Sequence, residues 1–207
     1  MKHLKVLLLI VLSLSAFADN WQAWRGKYGN GVSDETGIAA NWSRTENVQW
    51  RTKLPGRAGS TPIIWEDRIF LTSVAENGDD LLLICLNPDG KFKWQQKLGT
   101  GNRNIRGNEG NSASPSPCTD GQHVWAYVST GDIGCYDFEG NEIWKGNLEK
   151  WYGGFDLFFV MASTPVVDGD RLYLQFIHSN VSLLDKEIGR GLCRESVYIS
   201  VVAGSFI

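Results

Sequence analysis

Histidine and cysteine are scarce in this chain, with three and four residues among 207. No cysteine stands beside another or in a CxxC pair, and Cys85, Cys118, Cys135 and Cys193 lack the dense spacing of a disulfide scaffold. His3, His123 and His178 are the only imidazoles, too few and too dispersed for a zinc site. They also have no nucleophile within a recognisable catalytic context, so no catalytic residue is assigned and the chain as it stands does not read as an enzyme. Basic charge is not in excess either: 20 Lys and Arg face 23 Asp and Glu, and the arginines are scattered, which argues against a nucleic-acid surface. No stretch beyond the leader has a sustained helical period, which excludes a helical bundle or solenoid. One long apolar run exists, from Val6, and it is too short and too near the terminus for a membrane span.

That run belongs to MKHLKVLLLIVLSLSAFADN, which has Lys2 and Lys5, an apolar core and Ala16-Phe17-Ala18. The pattern is that of a secretory signal peptide over residues 1–18 with cleavage after Ala18. The leader contains no cysteine, so a lipoprotein anchor is not expected. Loss of Lys2 and Lys5 takes the formal charge from −3 to −5. The expected location is exported, periplasmic or extracellular, with no transmembrane segment after cleavage.

What is abundant is tryptophan, nine residues, each a large packing unit with one N–H to satisfy. Several of them fall in a repeat. TPIIWEDRIFLTS from Thr61, SPCTDGQHVWAYVS from Ser116 and TPVVDGDRLYLQF from Thr164 align on Pro62, Pro117 and Pro165. Ile69, Val124 and Leu172 follow at equal distances, and Phe70, Trp125 and Tyr173 come next. Each segment reads as a short strand, a polar turn and a second strand with period-2 alternation. A third strand follows from Leu81, Gly131 and Asn180, then a tight turn ending at Gly90, Gly140 or Gly189. GKFKWQQKL and GNEIWKGNL supply a fourth strand carrying Trp94 or Trp144, and Cys193 stands at that place in the third unit.

Four short antiparallel strands in a period of roughly fifty residues are the signature of a β-propeller blade. The predicted fold is therefore all-β: an incomplete propeller of about three four-stranded blades, over 61–98, 116–148 and 164–194, within a region 19–207. Residues 19–60 form an N-terminal segment. Within it, 47–54 matches the fourth strand alone, with Trp50 and Leu54 in register with Trp94/Leu98 and Trp144/Leu148. Such an orphan strand is expected to complete the last blade of a ring. Residues 195–207 read as the start of a further strand or an aberrant tail. Three units do not close a ring, since propellers use about four to eight blades. A piece of a longer chain, a ring completed by self-association and an open arc are the three readings, and further blades from missing C-terminal sequence are the favoured one.

ICLNPDGKFKW, GCYDFEGNEIW and SLLDKEIGRGLC resemble degenerate forms of the A-x-D-x-x-T-G-x-x-x-W motif of PQQ-binding-like, quinoprotein-type β-propeller repeats. WQAWRGKYGNGVSDETGIAANWS and SASPSPCTDGQHVWAYVSTGD also resemble exported members of that repeat class, which includes outer-membrane assembly factors. The resemblance covers nearly all of residues 20–194. It implies that Trp50, Trp94 and Trp144 dock between blades and that Gly90, Gly140 and Gly189 close the preceding turns. The motif threonine is absent: Asp89, Glu139 and Ile188 stand in its place. Catalytic members carry a vicinal Cys-Cys disulfide and calcium ligands. This chain has no Cys-Cys pair and no clustered carboxylates, so no bound cofactor is expected, PQQ being implied by the resemblance alone.

Two connections are candidate binding surfaces. In GTGNRNIRGNEGNSASPS, residues 99–116, Arg103, Arg106, Asn108 and Glu109 could bind an anionic or sugar-like ligand, Arg offering a planar fork; the competing reading is a flexible, solvated connection. In WYGGFDLFFVMAS, residues 151–163, Trp151, Tyr152 and Phe155 are candidates for partner binding; the competing reading is a loop folded back over the propeller. The function expected is a non-catalytic exported scaffold for a protein partner or cell-envelope polymer. The alternatives are a fragment of a PQQ- and calcium-dependent dehydrogenase and an auxiliary propeller of a longer enzyme.

Overall fold

The computed structural model describes residues 19–103, 110–151 and 161–175, and the backbone alone of 152 and 181–185. Two complete blades and most of a third are present. The first contains β1 (Ile63–Trp65), β2 (Arg68–Val74), β3 (Asp80–Leu86) and β4 (Phe92–Thr100) in one sheet of order β1-β2-β3-β4. The second repeats that order with β5 (Cys118–Thr119), β6 (His123–Tyr127), β7 (Asp132–Asp137) and β8 (Glu142–Asn147). A helical turn, α1 (Leu148–Tyr152), leads on toward β9 (Val166–Asp168), β10 (Arg171–Gln175) and β11 (Val181–Asp185). All pairings are antiparallel. The fourth strand of the third unit, with Gly189 and Cys193, lies outside the described residues.

Register explains why the repeat conserves particular side chains. A cross-strand row runs Ile63–Phe70–Cys85–Trp94 through the first blade. The equivalent row in the second blade is Cys118–Trp125–Cys135–Trp144. Because alternate residues point to opposite faces, each row faces the following blade. Ile63, Phe70, Val74, Leu81, Leu83, Cys85 and Leu98 therefore pack against Val124, Ala126, Val128 and Tyr136. The second row, with Tyr127, Ile133 and Leu148, packs against Leu172 and Leu174 of the third blade. Phe70, Trp94, Tyr136 and Phe138 form an aromatic cluster at the first seam, with ring centroids 5.1–6.4 Å apart. Cys85 and Cys135 are buried thiols, neither in a disulfide, at equivalent positions.

Two of the repeat tryptophans bond to the turn of the following unit. Trp94 donates its indole N–H to the Phe138 carbonyl at 2.9 Å, and Gln96 donates to the Gly140 carbonyl at 2.8 Å. Trp50 donates likewise to Pro88 at 2.7 Å, and the Thr52 hydroxyl donates to the Gly90 carbonyl. Each indole lies against the glycine two residues after its acceptor. A β-carbon on Gly140 would stand 2.8 Å from the Trp94 ring, and one on Gly90 would stand 2.4 Å from the Trp50 ring. Both glycines have positive φ, 88° and 79°, so the turn needs glycine for conformation as well as space. A bulge precedes the tryptophan in both blades, where the registers shift between Cys85/Leu86 and Cys135/Tyr136. Bulges re-aim side chains and add twist, and here they tip the indole toward the next blade. Trp144 is partly buried against the second seam.

One expectation is corrected. Residues 47–54 form no strand, although Trp50 docks as a fourth-strand residue would. A strand exists through its ladder partners, and among the described residues no strand lies alongside this segment. Leu54 nonetheless packs on Leu71, Leu82, Ile84 and Leu86, so the segment covers the face of the first blade that points away from the second.

Candidate binding cavity

Each inner strand begins with proline, and the residue two places on, Ile64, Thr119 or Val167, has a common place on the inner rim. A short N-terminal strap runs along this rim. Trp21 exchanges both backbone hydrogen bonds with Ile64, at 2.8 and 2.9 Å. The next residue, Gln22, accepts the Thr119 N–H at 3.0 Å. Asn20 anchors the start of the strap by accepting the Glu66 N–H at 2.7 Å. Glu66 has φ of +49° in the β1–β2 turn, and this bond satisfies its backbone donor there.

Beyond Gln22 the strap leaves the rim, and a cavity of about 1120 Å³ opens between residues 22–29, 118–120 and 162–169, with Tyr173 and Gln175. Its strap-side wall is aromatic and cationic. The Arg25 guanidinium lies 5.5 Å from the Trp24 ring centroid and the Lys27 ammonium 5.3 Å from that of Tyr28. Such stacking holds the cations over the rings. Trp24 and Tyr28 remain 54% and 56% exposed, so each ring has a free face for a ligand. Asp120 and Asp168 are the carboxylates on the opposite wall.

Sequence reasoning placed the candidate sites elsewhere. Of the polar connection 99–116, Arg103 is exposed and its backbone N–H donates to the Ser112 hydroxyl at 2.9 Å. Arg106, Asn108 and Glu109 lie outside the described residues. The second half of this connection is not solvated: Asn111, Ser112, Ala113 and Ser116 are buried. Asn111 accepts the Ala113 N–H through its side chain, and the Thr72 hydroxyl lies within bonding distance of the Ala113 and Pro115 carbonyls, at 3.0 and 2.9 Å. Glycine, asparagine and serine thus make a hydrogen-bonded plug, the side-chain–backbone chemistry these residues favour in turns.

In the aromatic connection, Trp151 and Tyr152 end α1, and Trp151 is 43% exposed. Phe155 lies outside the described residues. The return of this connection is packed inward, with Met161 buried. The Ser129 hydroxyl donates to the Met161 carbonyl at 2.6 Å, and the Tyr127 hydroxyl donates to Ser163. Arg103 and Trp151 follow equivalent outer strands, β4 and β8, and so share one end of the blades. The strap was missed as a site because its motif signalled a repeat class. Arg25 and Lys27 beside Trp24 and Tyr28 were the available signal.

The quinone and calcium centre of catalytic quinoproteins was tested against these residues. Cys85, Cys118 and Cys135 are buried within strands and take part in no disulfide. Burial pushes the Cys85 thiol up to about 12, outweighing the nearby positive charges of Arg68 and Lys93. Burial also raises Cys118. Among the described residues no group of three or more His, Cys, Asp or Glu could hold a metal ion. The donors among the described residues do not by themselves make up a vicinal-cysteine, calcium-bound quinone site. No helix among the described residues is long and apolar enough to cross a membrane.

Comparison with solved structures places the architecture among propellers. BamB from Moraxella catarrhalis superposes with a TM-score of 0.53 at 19% identity, over 72% of this chain and 44% of that one. A europium-containing methanol dehydrogenase gives 0.56 at 16%, over 84% and 31%. The quinohemoprotein alcohol dehydrogenase ADHIIG from Pseudomonas putida HK5 gives 0.57 at 15%, over 83% and 26%. At these identities the likeness is one of fold, and the chain spans less than half the length of each of these structures. Comparison with curated proteins gave no match. The family model described as outer membrane protein assembly factor BamB matches residues 32–173, more than half of the sequence. That span takes in both complete blades and their docking tryptophans, and on it the chain belongs to the family of BamB-type, PQQ-like propeller repeats.

Proposed function

We propose that this chain is an exported, non-catalytic propeller scaffold of the cell envelope that binds a protein or a surface polymer and carries no quinone. The observation that carries this reading is the exposed Trp24–Tyr28 pair beside the cavity of about 1120 Å³. Small-molecule pockets usually measure about 300–1,000 Å³ and enclose their ligand; this one is larger and lies against a strap with free aromatic faces. Aromatic side chains of this kind anchor macromolecular interfaces. Arg103 and Trp151 offer a second contact surface at the end of the blades. The apolar leader with Ala16-Phe17-Ala18 supports export.

The likeness to alcohol dehydrogenases favours a second reading, a piece of a quinone- and calcium-dependent dehydrogenase. One experiment separates the two. p-Benzoylphenylalanine placed at Trp24, and separately at Trp151, should cross-link the full chain to a discrete envelope component in cells. Purified chain mixed with PQQ and Ca²⁺ should retain no quinone absorbance and no dye-linked alcohol oxidation. Retained quinone with turnover would overturn the scaffold reading.

A further inference from the structure

The inner rim presents the same backbone position three times, and only two are occupied among the described residues. Ile64 faces Ile69 and Val167 faces Leu172, each one pair before a two-residue turn. In an antiparallel hairpin the residue next to the turn-closing pair directs its N–H and C=O away from its partner strand. Ile64 shows the consequence, since both of its groups bond to Trp21. Thr119 uses its N–H in the same way, toward Gln22. At Val167 the strap has already left the rim. There the cavity opens, and the Val167 N–H and C=O have no partner outside their hairpin among the described residues. Val167 is partly buried, with its neighbours Val166 and Asp168 exposed on either side. A strand residue whose N–H and C=O both face away from its own hairpin can pair with one residue of a further extended chain.

We infer that β9 accepts an extended peptide segment of a partner protein, which pairs with the backbone of Val167 and prolongs the path of the N-terminal strap around the rim. The matching groups identify the ligand class. A donor and an acceptor on one strand residue are complementary to one residue of another extended chain, as Trp21 is to Ile64, whereas a sugar polymer has no such repeat. In strand addition the backbone supplies affinity and alternate side chains supply specificity. Trp24 and Tyr28 give one set of those side chains an aromatic surface, with Arg25 and Lys27 beside it. This mode rests on the scaffold reading for the source of the peptide, but the pairing itself is tested with purified components.

The probe is a fluorescein-labelled peptide, Asp-Asn-Trp-Gln-Ala-Trp-Arg-Gly, a copy of residues 19–26, whose backbone already pairs with the two equivalent positions. Fluorescence anisotropy with the full chain should show saturable binding. N-methylation of alternate residues should weaken it about tenfold in one phase and leave it unchanged in the other, the loss of one hydrogen bond being about 1.4 kcal/mol. Val167→Pro removes an N–H that faces the rim rather than β10, a substitution edge positions tolerate, and should weaken binding similarly at an unchanged melting temperature. No saturation at millimolar peptide, or equal affinity for both N-methylated phases, would overturn the inference. The phase comparison uses only the wild-type chain, so it stands even where Val167→Pro unfolds. A missing cross-link in cells with intact peptide binding would sink the scaffold reading and leave the slot.

Discussion

The indole of Trp94 donates to the carbonyl of Phe138 in the next blade, 2.9 Å away and 44 residues on in sequence. The Trp50–Pro88 bond repeats the arrangement one unit earlier at 2.7 Å. Each bond ties an indole to the turn of the following unit, so neighbouring segments are joined by directed bonds as well as by apolar contact. Trp94→Ala should lower stability by about 3–5 kcal/mol, as for other large aromatic truncations. Trp94→Phe keeps much of the ring and should cost nearer 1 kcal/mol, the hydrogen bond alone. Trp50, 38% exposed, should cost less than Trp94 when truncated. Urea unfolding of the three variants checks this order, and equal midpoints for wild type and Trp94→Ala would remove the docking argument.

Gly140 and Gly78 separate conformational strain from crowding. Both have positive φ, 88° and 76°. A β-carbon at Gly78 meets nothing within 4 Å, whereas one at Gly140 meets the Trp94 indole at 2.8 Å. Gly78→Ala should therefore cost about 1–2 kcal/mol from backbone strain, and Gly140→Ala distinctly more. Thermal melts of the pair suffice, and a larger loss at Gly78 would contradict the packing of the indole.

Asn111 supports the plug between the first two blades. Its side chain accepts the buried Ala113 N–H at 2.8 Å. Asn111→Ala strands that donor and should cost about 1–3 kcal/mol. Thr72→Val keeps shape but removes the hydroxyl that serves the Ala113 and Pro115 carbonyls, with a loss in the same range. Hydrogen exchange should show the Ala113 amide losing protection in the first variant. Unchanged protection would mean that the plug is held by packing alone.

High pH should weaken the fold through its buried thiol and phenol groups. Burial pushes the Cys85 thiol up to about 12, and burial, with Glu142 nearby, pushes the Tyr136 phenol up to about 12. Both folded values exceed the ordinary ones, about 8.5 and 10. The folded state therefore holds these protons more tightly, and the stability they contribute is complete below about pH 8.5 and is lost as pH rises toward 12. The urea midpoint should fall over that window. At pH 8, Cys85 and Cys118 should escape alkylation in the native protein and react after unfolding, with mass spectrometry assigning the sites. Native labelling of Cys85 would show that the first seam is open.

Much of the fold was legible because a blade is a local object. The prolines before β1, β5 and β9, the period-2 strands and the glycine-to-tryptophan spacing all lie within one unit of about fifty residues, and antiparallel neighbours joined by short turns have little freedom in pairing. The equivalence of Phe70 with Trp125 and of Trp94 with Trp144 followed from alignment, and the cross-strand row that joins them within a blade came from the register. What was not legible depended on distant chain. Residues 47–54 look like a strand in composition, but strand formation requires a partner. The connection 99–116 looks solvated, yet Asn111 and Ser112 are buried because neighbouring blades converge on them. The cavity involves residues 22–29 and 162–169, more than 130 positions apart in sequence.

The amino-acid order by itself determined the blade, its four-strand sequence and the tryptophans that join one blade to the next, since these follow from alternation, turn chemistry and spacing within a repeat. Only the tertiary structure decided where the N-terminal strap lies, that Trp21 and Gln22 take two of three equivalent rim positions, and that Val167 is left at the mouth of a cavity. The physical reason is that an edge hydrogen bond carries no composition of its own. Every residue but proline offers the same N–H and C=O, and which of them find partners is settled only when distant segments meet.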